Sequence, residues 1–504
     1  MEFSHKNSIL QSNTYQRLEQ FLQEWRAQSS EEMPNFEIFE QQLHEQVMAV
    51  ERELLAEELL RYDVTAQEIE VEQIAYRRAL TSPETYLTTA GPVTIQRTLY
   101  RPVEVQAATL CPLEVRVGIL AGYWTPRAAR QAAFVMAHLP SGDSEALFAE
   151  LGGMLPSRPS LDRLPKVLAP HWEAQRQDWE AQLRVQEPPA PQAAIVAVSV
   201  DGVTLRMKAQ TKQEPRHQPG KHASGPVGQR EAGCGCVVVY DRDGERLQTV
   251  RYARMPERRK ATLQQELETE VTSLLRLRPN LKRVWLADGA EPNWSLLSAI
   301  DRACGPSPQP SLCIVDFYHA CAHLQEACDA NWGESTPASQ AAFERLKTIL
   351  KEAPQGVDRV IRILTYYHRR ARGRKQKRLR TQLTYFRNQC HRMQYARYVQ
   401  EHLPIASGVI EASCKTLVTQ RMKLSGMAWS TQGGQAILTL RGLIQSHRWQ
   451  PAWQLLQSSF CKPIRVCVPP SGKPADSGSE RSHPQPPDPF TIRIPDYLSL
   501  PLAQ

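Results

Sequence analysis

The sequence predicts an α/β protein: a mixed sheet flanked by helices, with an all-α insertion inside it and a helical region in front of it. Short apolar runs bounded by turn residues recur over 192–318, first three in succession and then alternating with helical patterns. Over 319–398 the pattern is almost wholly helical, too long for a loop within a compact unit. Ahead of both, glutamate-rich segments carry apolar residues at three- and four-residue steps. With 504 residues and 41% apolar composition, the chain is long enough for several units with proper cores.

Taken in order, 1–80 reads as a helical region, with helices over about 14–72. Phe36, Phe39, Leu43, Val47, Val50 and Leu54 form an apolar stripe that either packs on its own domain or pairs with a second copy. In 81–185, alternation of Val93, Ile95, Arg97 and Leu99 beside Ala90, Gly91 and Pro92 predicts a hairpin. Residues 146–151, Gly152, Gly153 and 159–164 have the spacing of a helix-turn-helix whose second helix enters a DNA major groove, or of a plain helical hairpin. Pro165 is expected to end that second helix early. Pro188, Pro189 and Pro191 make a stiff linker.

Within 192–318 the expected order is strand (195–200), a basic loop, strand (234–240), turn (241–244), strand (247–251), helix (261–277), strand (283–287), helix (292–302) and strand (311–315). Three meandering strands followed by alternating helix and strand are the order of the ribonuclease H topology. Residues 319–403 form the insertion and 404–460 return to the core. Residues 463–504, rich in Pro, Ser and Gly, cannot bury enough apolar surface to fold and read as disordered.

The net charge of +8 is unevenly placed, since acids dominate 31–72 while 361–400 contains no Asp or Glu. That asymmetry implies a polyanionic partner. The 11 cysteines show no C-x-x-C spacing, as expected of thiols in a reducing cytosol. No signal peptide and no run of roughly 18 apolar residues is evident, which implies a cytoplasmic protein without a membrane role.

Three carboxylates stand out. Asp201 ends the apolar run 193–200 and Asp288 ends the run 284–287, each followed by glycine, while Glu411 follows a Ser407-Gly408 turn into a helix. An acid at a strand's end has its side chain at the sheet's rim. Three such acids can hold two Mg²⁺ ions, with Mn²⁺ as a substitute, and two metals can cleave or transfer a phosphodiester. Lys415, four residues after Glu411, is expected on the same helix face. Asp316 also ends an apolar strand, but the strand order favours Asp288 as ligand. Asp316 and His319 are then expected to orient the catalytic carboxylates or a nucleotide at the site's edge. His319 and His323 have a zinc-compatible spacing but lack a third ligand.

The expected DNA surface is Lys208, Lys212, Arg216, Lys221 and Arg230 in the basic loop, with Arg369, Arg370, Arg372, Arg374, Lys375, Lys377, Arg378 and Arg380 in the insertion. Tyr366, Tyr367, Tyr385, Phe386 and Tyr395 interleave with the second group as stacking surfaces. Arg421, Lys423 and Trp429 extend this surface, with Lys415, toward the acids.

The segments Asp288-Gly-Ala-Glu-Pro-Asn-Trp294, Asp316-Phe-Tyr-His-Ala320, Ala406-Ser-Gly-Val-Ile-Glu-Ala-Ser-Cys-Lys415, Arg421-Met-Lys-Leu-Ser-Gly-Met-Ala-Trp429 and Gly433-Gly-Gln-Ala-Ile-Leu-Thr-Leu-Arg441 resemble bacterial insertion-sequence transposases of the ISKra type, mutator-like relatives with an Asp-Asp-Glu triad. The resemblance spans 201–453, and more loosely 91–171. It implies a ribonuclease H-like catalytic domain that cuts the 3′ ends of its own element and joins them to target DNA with Mg²⁺. Asp201, Asp288 and Glu411 then match the triad, and Asp316 with His319 match a C/D-x-x-H motif. Pairing of two ends implies a homodimer or higher oligomer. The rival expectation is a domesticated remnant that binds DNA without catalysis.

Overall fold

The computed structural model describes residues 13–27, 35–104, 108–208 and 228–467. Lys212, Arg216 and Lys221 of the basic loop, and the tail from 468, lie outside the described residues. Helices α1 (Asn13–Ala27) and α2 (Phe36–Leu60) meet through Phe21, Trp25 and Phe39, whose ring centroids stand 5.1–6.1 Å apart. Of the apolar stripe on α2, Leu43 and Val50 are half-buried while Phe36, Val47 and Leu54 remain exposed.

The helical reading of 14–72 is corrected at its end, because the chain turns to strand well before Glu72. An antiparallel sheet forms from β1 (Glu68–Val71), β2 (Ile74–Thr88) and β3 (Gly91–Pro102). Glutamates at 68, 70 and 72 alternate with Ile69 and Val71, which turn into a core at the strand period of two, and Glu72 and Gln73 take positive φ in the tight turn to β2. A short strand, Arg465–Cys467, pairs with β1, so the expected disorder of 463–504 is also corrected at its start.

Helices α3 (Pro112–Val117), α4 (Pro126–His138), α5 (Ser141–Leu151) and α6 (Arg158–Gln186) follow. The expectation that Pro165 ends the second helix is overturned: α6 runs 29 residues with Pro165 and Pro170 inside it. Each proline costs about 3 kcal/mol. Burial of Leu161, Leu164, Leu168, Trp172, Trp179 and Leu183 offsets that cost at roughly 1.5–3 kcal/mol for each large apolar side chain. Of the segment read as a recognition helix or a plain helical hairpin, Leu161 and Leu164 pack inward while Arg158, Pro159, Asp162, Arg163 and Lys166 form an exposed face of a much longer helix.

The central sheet comprises β4 (Ile195–Met207), β5 (Gly228–Tyr240), β6 (Arg246–Arg254), β7 (Lys282–Ala287) and β8 (Leu312–Val315), in the order β6-β5-β4-β7-β8. The first three strands are antiparallel, whereas β7 and β8 run parallel to β4. Helices α7 (Ala261–Leu277) and α8 (Glu291–Ala303) make the connections. Valine-rich runs on β4, β5 and β7 are buried on both faces, as parallel and central strands require. A buried network locks α6 to this layer: Arg448 donates to both oxygens of Glu270 at 2.8 and 3.0 Å, and Arg184 pairs with the same carboxylate. Burial opposes ionisation of Glu270, but Arg448 and Arg184 hold its carboxyl down at about 2.

The insertion consists of α9 (Phe317–Trp332), α10 (Pro337–Glu352), α11 (Gly356–Arg370), α12 (Gly373–Gln389) and α13 (Tyr395–Gln400). Leu346, Val357, Leu364, Leu379 and Phe386 belong to the same apolar cluster as the sheet. The chain returns through α14 (Gly408–Ser413), a π-helical segment Cys414–Thr419, α15 (Gln420–Met422), α16 (Thr431–Gln445) and α17 (Trp449–Ser458). Among the described residues no helix is long and apolar enough to cross a membrane.

Candidate active site

Sheet register places the acids. On β4 and β7 the partners run from Ile195 with Lys282 to Ser199 with Leu286, so two further residues along each chain put Asp288 beside Asp201. On β7 and β8 they run to Ala287 with Val315, so the next residues are Asp288 and Asp316. Neighbouring strands lie about 4.8 Å apart and residues at one register position face the same way. Three acids therefore form a row across one edge of the sheet. Asp201 does not end its strand as expected: β4 continues through Gly202 to Met207 against β5, and it is β7 that stops beside it.

Glu411 arrives from the far side of the insertion. Ile410, Cys414, Leu417 and Val418 pack onto Leu205, Cys234, Cys236 and Val238, which seats α14 on the sheet and leaves Glu411 at its rim. Asp201, Asp288, Asp316, His319, Ser407 and Glu411 line one cavity of about 290 Å³.

The acids differ in their hydrogen bonds. Asp316 is 1% exposed, and both its oxygens are engaged: one accepts the His319 N–H at 2.6 Å and caps α9, the other accepts the Ser407 N–H. With the 2.8 Å bond from Phe317 N to Ile405 O, this staples the loop before Glu411 to the end of β8. Asp288 accepts from Ala290 N at 2.9 Å and Asn293 Nδ2 at 3.1 Å through Oδ1 alone. Asp201 accepts the Gly202 N–H at 2.7 Å, and the Cys414 thiol lies 3.7 Å from its other oxygen. Burial pushes the Asp201 carboxyl up, against the Gly202 N–H, and the neighbouring Asp288 charge adds to the rise. Glu411 is exposed and its side chain bonds to no described residue.

The insertion walls the other side. Tyr385 donates to Asp288 O at 3.1 Å, and Gln389 Nε2 donates to Gly289 O at 3.1 Å. Gly289 has φ +104°, and a Cβ there would lie 3.0 Å from the Tyr385 ring, so this turn demands glycine twice over. His323 stacks on Tyr385 at 3.6 Å and bonds Gln382 at 2.6 Å. Sequence reasoning missed Gln389, Asn293 and Lys260, the last of which donates to Asn293 Oδ1 at 3.1 Å. Only the Asp288-to-Asn293 spacing at a helix start hinted at any of them.

Several expected DNA-binding side chains are placed elsewhere. Arg421 is 3% exposed and its Nε and Nη2 donate to Met136 O at 3.4 and 3.3 Å at the end of α4, so its assignment to the DNA surface is corrected. Burial and the nearby Arg441 lower its guanidinium to about 10. Trp429 is half-buried, exchanges backbone bonds with Arg206 and Lys208 beside the end of β4, and donates its indole N–H to Met422 O at 2.9 Å. It is a packing residue. Arg378 meets Glu326 and Glu334 at 3.1 Å each, in partly exposed surface ion pairs. Lys375 donates to Asn331 O at 2.5 Å. Of the interleaved aromatics, Phe386 and Tyr395 are buried and Tyr385 is committed to Asp288, leaving Tyr366 as the exposed ring. Arg369, Arg370, Arg372, Arg374, Lys377, Lys415 and Lys423 are free of ion pairs with described residues, and all but Arg370, which stacks on Tyr366, make no side-chain hydrogen bond or ring contact with them. Lys415 enters the π-helical segment, which shifts it from the position an α-helix would give it relative to Glu411.

No protein-family model matches the chain, and no curated protein matches its sequence. One similar solved structure is the Drosophila P element transposase strand transfer complex, 11% identical, covering 67% of this chain and 84% of that one at a TM-score of 0.27. A likeness that faint establishes neither fold nor function.

The donors of the cavity are carboxylate oxygens, the hard ligands that Mg²⁺ takes. Among the described residues no three His, Cys, Asp or Glu side chains stand close enough together to hold a metal ion as placed. Glu411 lines the cavity with an exposed carboxylate that bonds to no described residue.

Proposed function

We propose that this chain is a transposase of a bacterial insertion sequence, of the ISKra type its motifs resemble, which cuts the 3′ ends of its own element and joins them to target DNA. The observation that carries this reading is the acid row. Asp201 and Asp288 share a register position on neighbouring strands and face the cavity that Glu411 also lines. The sheet order, three antiparallel strands and then two parallel ones, supports a ribonuclease H-like catalytic unit.

Asp201, Asp288 and Glu411 would hold two Mg²⁺ ions, which there polarise a phosphate and make a nucleophile available at neutral pH, with Mn²⁺ as a substitute. Water bonds to phosphorus at the element end and the 3′ oxygen leaves with a proton. That hydroxyl then bonds to a target phosphorus, and the target's 3′ oxygen leaves. Asp316 positions the Glu411 loop, and Tyr385 with Gln389 positions the Asp288 turn. Exposed His319 at the cavity's mouth meets the nucleotide beside the cut. Arg369, Arg370, Arg372, Arg374, Lys377 and Lys423 bind the phosphate backbone. Two ends are joined, so at least two copies act together, on DNA in the cytoplasm.

The test is nicking of a plasmid that carries the element's ends, with Mg²⁺, by wild type and by Asp201→Ala, Asp288→Ala and Glu411→Ala. Each variant is expected to lose nicking and keep DNA binding. Undiminished cutting by any of them overturns the triad, and a wild type that binds without cutting favours the DNA-binding remnant.

A further inference from the structure

Trp332 at the end of α9, Arg345 on α10, and Arg362, Tyr366 and Tyr367 on α11 line an open cleft of about 380 Å³ that the catalytic reading does not use. That is the size range of small-ligand sites, about 300–1,000 Å³. Trp332 and Tyr367 meet edge to face at 4.8 Å, which fixes two ring surfaces against each other. Tyr366 is 51% exposed, and Arg370 stacks on it at 4.7 Å. Arg345 and Arg362 are exposed without a carboxylate partner among the described residues, and no acidic side chain lines the cleft. Aromatic faces with cations beside them are the two halves of nucleotide recognition, a stacking surface for the base and a counter-charge for its phosphate.

We infer that this cleft holds an unstacked nucleotide of a DNA single strand. A free mononucleotide has the same chemistry, but continuity favours a strand: Tyr366 and Tyr367 stand at the end of α11, where Arg370 stacks on Tyr366 and the chain runs on through Arg372 and Arg374 into α12. Helix α9 joins the two sites, with His319 at the catalytic cavity and Trp332 at the cleft. The 13 helical steps from His319 to Trp332 span roughly 20 Å at 1.5 Å per residue. Single-stranded DNA roughly 20 Å from the scissile phosphate would therefore be gripped by the insertion. The inference rests on the chain being a DNA-processing enzyme.

The experiment measures binding of a fluorescent twelve-thymidine oligonucleotide by the full chain and by Tyr366→Ala, Tyr366→Phe and Arg362→Ala. Tyr366→Ala and Arg362→Ala are expected to weaken binding roughly ten-fold, the scale of one lost stacked base. Tyr366→Phe keeps the ring and is expected to bind as wild type. Thymidine monophosphate at millimolar concentration is expected not to compete; full competition overturns the strand assignment. Wild-type affinity in Tyr366→Ala and Arg362→Ala, with unchanged melting curves, overturns the cleft. Plasmid nicking separates the two readings: cutting with no effect of these substitutions sinks the cleft alone, and strand binding without cutting sinks the catalytic reading alone.

Discussion

Asp316→Asn distinguishes a positioning carboxylate from a metal ligand. The asparagine can still cap α9 through its oxygen, because Asn and Asp are equivalent at an N-cap. Its amide nitrogen, however, would face the Ser407 N–H that the second carboxylate oxygen now accepts. A buried donor left unpaired costs about 1–3 kcal/mol, toward the upper end where a charged acceptor is lost. The expected loss is therefore roughly 2–3 kcal/mol for Asp316→Asn, and about 1 kcal/mol more for Asp316→Ala, which forfeits the cap as well. Asp288→Asn is the contrast, since its single engaged oxygen survives and its half-exposed position implies a cost under about 1 kcal/mol. Urea unfolding gives the stabilities and plasmid nicking the activities. Asp316→Asn is expected to lose both together, Asp288→Asn only the activity. If Asp316→Asn abolishes cutting at unchanged stability while Asp288→Asn still cuts, the assignment of the two acids is reversed.

Glu270→Gln strands Arg184 and Arg448 without their shared carboxylate and should cost about 3–5 kcal/mol. Because the Glu270 carboxyl is depressed to about 2, its contribution is present above the unfolded value near 4.5 and is lost as pH falls toward 2, so urea midpoints of wild type and variant should converge in acid. Asp201 is raised by burial, so its ionised form is the costly one and its contribution fades as pH rises; Asp201→Asn should melt higher than wild type near neutral pH without divalent cations and gain nothing from adding Mg²⁺. Gly289→Ala meets both the φ of +104° and the Tyr385 ring and should stop cutting, whereas Gly305→Ala, also at positive φ but in open space, should cut normally. Neutralising Arg372, Arg374 and Lys377 should lower the slope of log affinity against log salt for duplex DNA by nearly 3, at about 0.9 per phosphate contact; an unchanged slope removes that surface.

The strands and helices of the central unit were legible because their runs are strongly apolar and cleanly bounded, as in 195–200 and 234–240. Asp288 and Asp316 were legible as strand-end residues, whereas Asp201 lies within a longer strand than its apolar run suggested, and the register the three share was not legible, since it depends on how β7 and β8 align with β4. Nothing local reveals that both Asp316 oxygens are consumed, one of them by a backbone amide 91 residues away. Arg421 reads as a surface cation until the carboxyl end of α4, 285 residues earlier in the chain, supplies its acceptor. Pro165 reads as a helix stop by propensity, and only the tertiary burial of α6 overrides it. The alternation of Glu68, Ile69, Glu70 and Val71, by contrast, was a strand signal in the sequence that the extended helical reading of 14–72 passed over.

The most direct test counts metal at the site. With the protein bound to DNA carrying a cleaved element end, Mn²⁺ retained per chain can be read by electron paramagnetic resonance. Two ions are expected for wild type, with fewer in each of Asp201→Asn, Asp288→Asn and Glu411→Gln and no change in Asp316→Glu if that variant folds. An equal count in wild type and all three variants would contradict a shared metal site at these carboxylates.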